Sequence, residues 1–473
     1  MSYRWLLLAL VPAGLMIIWA SSSTQETIAV ASTAAELLVP TPEDPSGLYV
    51  QEPDFIALGG WQADWNSWAA GAMVRVYWNQ VETTTPGQYD WDDVDDFLAE
   101  IPSGKKAIIG VYFKESAKDC YYGIPSYYYG AGYGALQLKK RIGNPPGPYT
   151  WENATRECKQ DGTTYYISTA VDFMHPSVKA ETDRLVQAFI NRYKNHPKVA
   201  AFEFATGAAG EATPWAHPGT TLDKHSENQE EDHGFYDRWT YEYYYERSGE
   251  GKYTITAWAR HNYELARTID AALPGGTKRA FMQFAQKWPA SDWWSDAVRC
   301  IAGQVTRVCN TSTKTPITSG LVGIKHSGLK ADTVDGGEED GTNYCGWWLG
   351  YTGYDYFTKD PWKMMRWVHD VGQLKTDWEF NNSYATDPLT SAYGVPGPDL
   401  LPTRDHVRYS LAMGLSYGAD VILVYVRNTQ YKQELEWAKK YVGKSTSSAP
   451  NLWIVLRVIH ASRRHAPEQE TRK

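Results

Sequence analysis

Val199-Ala-Ala-Phe-Glu-Phe-Ala-Thr-Gly-Ala-Ala-Gly-Glu211 is a short apolar run that turns into a loop of small residues and ends on a carboxylate. His196-Pro197 stands just before it and stops the preceding helix-like segment, so Val199 onward reads as a buried strand. The residues from Gly207 to Gly210 let the backbone bend sharply. A glutamate just past the carboxyl end of a parallel strand lies where barrel enzymes carry their chemistry.

Working outward, strand-like runs alternate with amphipathic segments. Before the quoted stretch the expected strands are 55–58, 72–78 and 106–113; after it they are 280–284, 321–326, 375–379 and 420–426. Helices are expected over 89–99, from Pro176 to Tyr193, around Trp258 to Ile269, over 293–308, from Pro361, from Thr403 and over 431–442. Eight strands interleaved with helices, with the longest loops after strands, predict an α/β fold, a (β/α)8 barrel. An open doubly wound sheet would alternate in the same way, but no GxGxxG turn follows a strand. Pro450 to Arg457 reads as one further strand, ahead of a charged tail.

The expected organisation is an export signal or signal anchor over 1–20, a linker over 21–48 and the barrel over 49–445. A terminal strand and tail follow over 446–473, the possible start of an accessory domain. Arg4 precedes an apolar run from Trp5 to Trp19 that ends at Ala20-Ser-Ser-Ser, the order of an export segment. Secretion, or a membrane tether through this segment, is therefore expected. Among five cysteines, Cys120 can pair with Cys158 across one insertion and Cys300 with Cys309 at a helix end, leaving Cys345; spacing does not fix these pairings.

The net charge of −9 comes with no basic block, which argues against a nucleic-acid partner and for an uncharged ligand. The 21 Trp and 33 Tyr combine flat apolar faces with polar edges, a chemistry suited to sugars. No CxxC or HExxH pattern points to a metal, and no cofactor is expected.

Two glutamates end two strands, Glu211 after the fourth and Glu379 at the seventh, and these ends face each other across a closed barrel. Cleaving a glycosidic bond needs such a pair, one acid to protonate the leaving oxygen and one carboxylate to attack or to activate water. A separation of about 5 Å gives retention and about 6.5–9.5 Å inversion. Arg75 on the second strand can point inward and orient Glu379, or pair with Glu82. Glu203 can face the lumen or pair with Arg75. Trp78, Trp215, Trp347, Trp378 and His326 are candidate substrate contacts, and Asp332 sits in the loop after the sixth strand.

Arg75-Val-Tyr-Trp78, Val81-Glu82 and Pro86-Gly-Gln-Tyr-Asp-Trp91, with Arg192-Tyr-Lys-Asn-His-Pro197, resemble signatures of clan A glycoside hydrolases, notably the family-42 and family-35 β-galactosidases. The resemblance spans most of 50–430. It implies a retaining barrel hydrolase with its acid/base after strand four and its nucleophile on strand seven, roles that fall on Glu211 and Glu379. Gly210 stands where the clan carries Asn, and Thr83 where it carries Pro. Gly-Ala-Ala-Gly-Glu211 is also similar to the acid loop of family-14 β-amylases, which invert. The expected function is hydrolysis of a neutral oligo- or polysaccharide. The alternatives are an inverting β-amylase-like hydrolase, a non-catalytic carbohydrate-binding barrel at a cell surface, and a different reaction using His326 and Asp332.

Overall fold

The computed structural model describes residues 41–51, 60–114 apart from 83, short stretches between 125 and 171, 173–208, 255–284, 292–329 apart from 312–313, 361–380 and 404–444. Eight strands form the barrel: β1 Gly47–Gln51, β2 Gly71–Tyr77, β3 Lys106–Lys114, β4 Val199–Ala208, β5 Arg279–Gln283, β6 Val322–Leu329, β7 Thr376–Phe380 and β8 Val421–Tyr425. Each pairs in parallel with its neighbours in chain order, and β1 closes the ring against both β8 and β2. Among the described residues the helices longer than one or two turns, with the closing helix, are α1 Asp92–Glu100, α2 Pro176–Tyr193, α3 Ile255–Ala272, α4 Asp292–Ile301, α5 Pro361–Asp370, α6 Arg404–Ser416 and α7 Lys432–Ala438. The fold is a (β/α)8 barrel.

The first strand differs from expectation. The apolar run at 55–58 lies outside the described residues, and Gly47-Leu-Tyr-Val-Gln51 fills the place instead, buried throughout. The barrel therefore begins inside the stretch read as linker. Ahead of β1, Glu43 accepts hydrogen bonds from Lys278 (2.5 Å) and Thr277 (3.0 Å), and Asp44 pairs with Lys375 at 3.1 Å. These contacts cross the amino-terminal end of the barrel, the end opposite to where the chemistry of such folds sits.

Strand geometry sends successive side chains to opposite faces. One face of each strand meets the helices. α2 starts at Pro176, where a missing N–H costs nothing, with the His175 ring accepting from the Ser177 amide at 3.3 Å. Its buried stripe Val178, Leu185, Val186, Phe189 and Tyr193 keeps helical spacing. Phe189 packs edge-on against Phe202 and Phe204, outward residues of β4, at 5.6 and 6.3 Å. The other face fills the barrel. Tyr49, Met73, Ile108, Ala201, Phe281, Val421 and Leu423 belong to a separate inner cluster.

Cys300 and Cys309 form a disulfide at the end of α4; a disulfide between Cys120 and Cys158, Cys345 and the 450–457 run fall outside the described side chains. Among the described residues no helix is long and apolar enough to cross a membrane.

Candidate active site

Above the apolar inner layer, the same inward face turns polar toward the carboxyl ends of the strands. It presents Gln51 (β1), Arg75 (β2), Tyr112 (β3), Glu203 (β4), Lys325 (β6), Asp377 and Glu379 (β7) and Tyr425 (β8). Gly110 makes the space for this layer. A Cβ there would lie 3.3–3.4 Å from Glu203 and from the Met73 methyl, so any larger side chain would crowd both.

Glu379 is the focus. Its Oε1 accepts from Gln51 Nε2 at 2.6 Å and from the Tyr425 hydroxyl at 2.8 Å. Its Oε2 meets Lys325 Nζ at 2.6 Å and Arg75 Nη2 at 3.3 Å. The side chain retains 8% exposure, so the carboxylate borders the mouth without lying in open water. Burial opposes its charge, but Lys325 first and Arg75 next, joined by the Gln51 hydrogen bond, outweigh burial and hold the carboxyl far below the usual glutamate range.

Beneath it, Lys325 Nζ also pairs with Glu203 and receives a place beside the Tyr112 hydroxyl at 2.9 Å. Tyr112 in turn donates to Glu203, and the Arg75 guanidinium lies over its ring, 4.2 Å from the centre. Burial works to strip the Lys325 proton, but Glu203 and Glu379 raise its pKa, keeping the ammonium charged. Asp377 is fully buried. Burial, then the charge of Glu203, drives its carboxyl well above the ordinary aspartate range, and the protonated acid is the favoured form. With Asp377 neutral, the cluster balances two cations, Arg75 and Lys325, against two carboxylates, Glu203 and Glu379.

Arg75 and Glu379 are brought together as the spacing allowed. Glu82 is engaged elsewhere, accepting from Trp78 Nε1 and from the Gly87 amide. Three expected contacts are buried away from the barrel lumen, two of them by strand phase. Trp378 neighbours Glu379 and so points the other way, fully buried among the helices near Tyr417. His326 shares that outward face and stacks on Trp378 at 5.0 Å. Trp78 opens a one-turn helix, is fully buried and packs on Phe113. None of the three serves as an open sugar platform. Glu211, Trp215, Trp347 and Asp332 lie outside the described residues.

Sequence reasoning missed Gln51, Lys325, Asp377, Tyr112 and Tyr425 as members of the site. The available signal was alternation: Asp377 lies two residues before Glu379, and Lys325 falls out of phase with the apolar Val322 and Ile324. Among the described residues no group of three or more His, Cys, Asp or Glu is arranged to hold a metal ion.

No family model matches the chain, and no curated protein matches it. Solved structures with a similar course include the β-galactosidase from Rahnella sp. R3, at 10% identity and TM-score 0.41, over 86% of this chain and 58% of that one. Endo-glycoceramidase II from Rhodococcus sp. aligns at 13% identity and TM-score 0.39, over 82% and 75%. The β-galactosidase from the haloarchaeon Halorubrum lacusprofundi aligns at 13% and 0.41, over 83% and 57%. This chain thus spans little more than half the length of the β-galactosidases it aligns with, and likeness at this level carries no inference about chemistry.

Proposed function

We propose that the protein is a glycoside hydrolase acting on neutral oligo- or polysaccharides, with Glu379 as the attacking carboxylate and Glu211 as the acid/base. One observation carries the reading: the Glu379 carboxylate at the carboxyl-terminal mouth of the barrel is paired with two cations and gripped by two neutral donors. A nucleophile toward an anomeric carbon must be charged at working pH, and Lys325 and Arg75 beside Glu379 favour that form. Glu211 follows the end of β4 by three residues in the chain. Half-buried Tyr77, inward at the end of β2 and edge-on to Tyr112 at 6.2 Å, is the aromatic closest to the role first given to Trp78.

In the first step a Glu379 oxygen bonds to the anomeric carbon while the glycosidic C–O bond breaks, and the leaving oxygen takes the proton of Glu211. In the second, water adds to the anomeric carbon and gives its proton to Glu211, and the electron pair of the ester bond returns to Glu379. The chain acts outside the cytoplasm in this reading, consistent with its amino-terminal segment and the Cys300–Cys309 disulfide.

The test is a panel of aryl glycosides and polysaccharides. Hydrolysis by the wild type, loss in Glu379→Gly and recovery of that variant with azide support the assignment. Glu379→Gly hydrolysing at the wild-type rate removes Glu379 from the mechanism. Product released with the inverted anomeric configuration favours the amylase-like alternative suggested by Gly-Ala-Ala-Gly-Glu211.

A further inference from the structure

The geometry points to Lys325 as a positioning residue for Glu379, clamped from below by Glu203 so that the carboxylate is charged before attack and regains its charge as the sugar leaves. This inference rests on the assignment of Glu379 as the attacking group. A lysine buried in a barrel lumen has an obvious alternative use, addition of its amine to a carbonyl, which requires the neutral form. Here Nζ lies against two carboxylates, at 2.6 Å to Glu379 and within ion-pair contact of Glu203, with the Tyr112 hydroxyl beside it at 2.9 Å, an arrangement built to keep the ammonium.

The charge balance gives the clamp its use. Before reaction the two cations and two carboxylates cancel. Once Glu379 is esterified, one negative charge is gone, and Arg75 and Lys325 face only Glu203. That uncompensated positive charge stabilises the carboxylate reappearing on Glu379 when water displaces the sugar. Glu203 holds Lys325 in place through both steps, because it lies fully buried beneath Glu379. Asp377 completes the support. Both its oxygens, and Oε2 of Glu203, are buried without a donor from another group, and a proton on Asp377 shared with Glu203 satisfies both carboxyls. The charged and titratable groups facing Lys325 include Arg75, Tyr112, Glu203, Asp377, Glu379 and Tyr425. β5 contributes Phe281 and Gln283, neither of which titrates.

The experiment uses the full chain and two substitutions with opposite expected signs. In Lys325→Met the acidic limb of kcat/KM for an aryl glycoside moves to higher pH, because Glu379 has lost its nearest cation. kcat falls on the order of 10²-fold, with a burst of phenol as the glycosyl-enzyme accumulates. In Glu203→Gln the acidic limb moves to lower pH, because Lys325 then serves Glu379 alone. A merely structural lysine would lower stability and leave both limbs where they were. An unmoved limb in folded Lys325→Met, or the same direction of movement in both variants, overturns the inference.

Urea unfolding gives a readout free of turnover. Lys325→Met should gain stability relative to wild type as pH falls from 7 to 5, since carboxyls deprived of their cation take up protons more readily in the folded state. Parallel unfolding profiles would also overturn the clamp. Failed azide rescue in Glu379→Gly alongside the expected unfolding difference would instead remove the role given to Glu379 and leave the electrostatic clamp standing.

Discussion

The protonated Asp377 makes a prediction about stability that needs no substrate. The perturbation is Asp377→Asn, which keeps the shape and supplies a permanent N–H donor toward Glu203. In the wild type the folded carboxyl holds its proton to a higher pH than the unfolded one, whose ordinary value is 3.8. Over the interval between those two pKa values the folded state binds one more proton than the unfolded state. Stability therefore falls as pH rises, by about 1.4 kcal/mol per pH unit. Two units inside that interval cost roughly 2.7 kcal/mol. Glu379 has the opposite sign. Its depressed pKa contributes stability that is complete above the unfolded value of 4.5 and is lost only as pH falls through the acid range, so an assay from pH 5 to 8 leaves it constant. Urea unfolding of both proteins at half-unit steps should show the wild type losing stability relative to the asparagine variant as pH rises toward the folded pKa of Asp377, by up to about 1.4 kcal/mol per pH unit, with the asparagine variant the more stable at the alkaline end. Profiles that run parallel from pH 5 to 8 would refute the shared proton and the charge balance built on it.

Other expectations are simpler. Gln51→Leu removes a 2.6 Å hydrogen bond to the Glu379 carboxylate; bonds to charged groups are worth about 1.5–3 kcal/mol, so kcat/KM should fall roughly 10- to 100-fold with the fold intact by circular dichroism. Trp378→Leu should cost about 2–4 kcal/mol of stability and leave KM unchanged, whereas Tyr77→Ala should raise KM; a KM effect confined to Trp378 would reverse the facing assigned to β7. Gly323→Ala would bring a methyl 2.4 Å from the Lys375 carbonyl and 2.9 Å from the Phe281 ring; a loss of about 1–3 kcal/mol in urea unfolding is expected from such crowding. Phe189→Ala should lose about 3–5 kcal/mol, with no shift in the pH profile of turnover.

Much of the barrel was legible because apolar strand runs and amphipathic helices have different periods. β4 and α2 were readable from Val199 onward and from Pro176 onward. β1 was not. Gly47-Leu-Tyr-Val-Gln51 has no more apolar character than Phe55-Ile-Ala-Leu58, and pairing on both sides with β8 and β2 is what makes it a strand. Glu379 and Arg75 were found because strand-end carboxylates and the Arg75-Val-Tyr-Trp78 resemblance single them out. The support beneath them was hidden in phase. Within a strand flanked by helices both faces are buried, so hydrophobicity alone does not say which of Lys325 and His326, or of Asp377 and Trp378, looks inward. Pairing across the ring decides that, and it joins residues as distant as Gln51 and Glu379.

The two ends of the ring converge on a single atom. Gln51 of the first strand and Tyr425 of the last both donate to Oε1 of Glu379, and they are themselves opposite one another in the pairing of those strands. The seam where the cylinder is sewn shut is thus stitched through a carboxylate oxygen of Glu379. A slip of one residue along that seam would swing the glutamine to the outer wall while leaving most of the architecture standing, so turnover becomes a gauge of whether the last joint closed in its proper alignment.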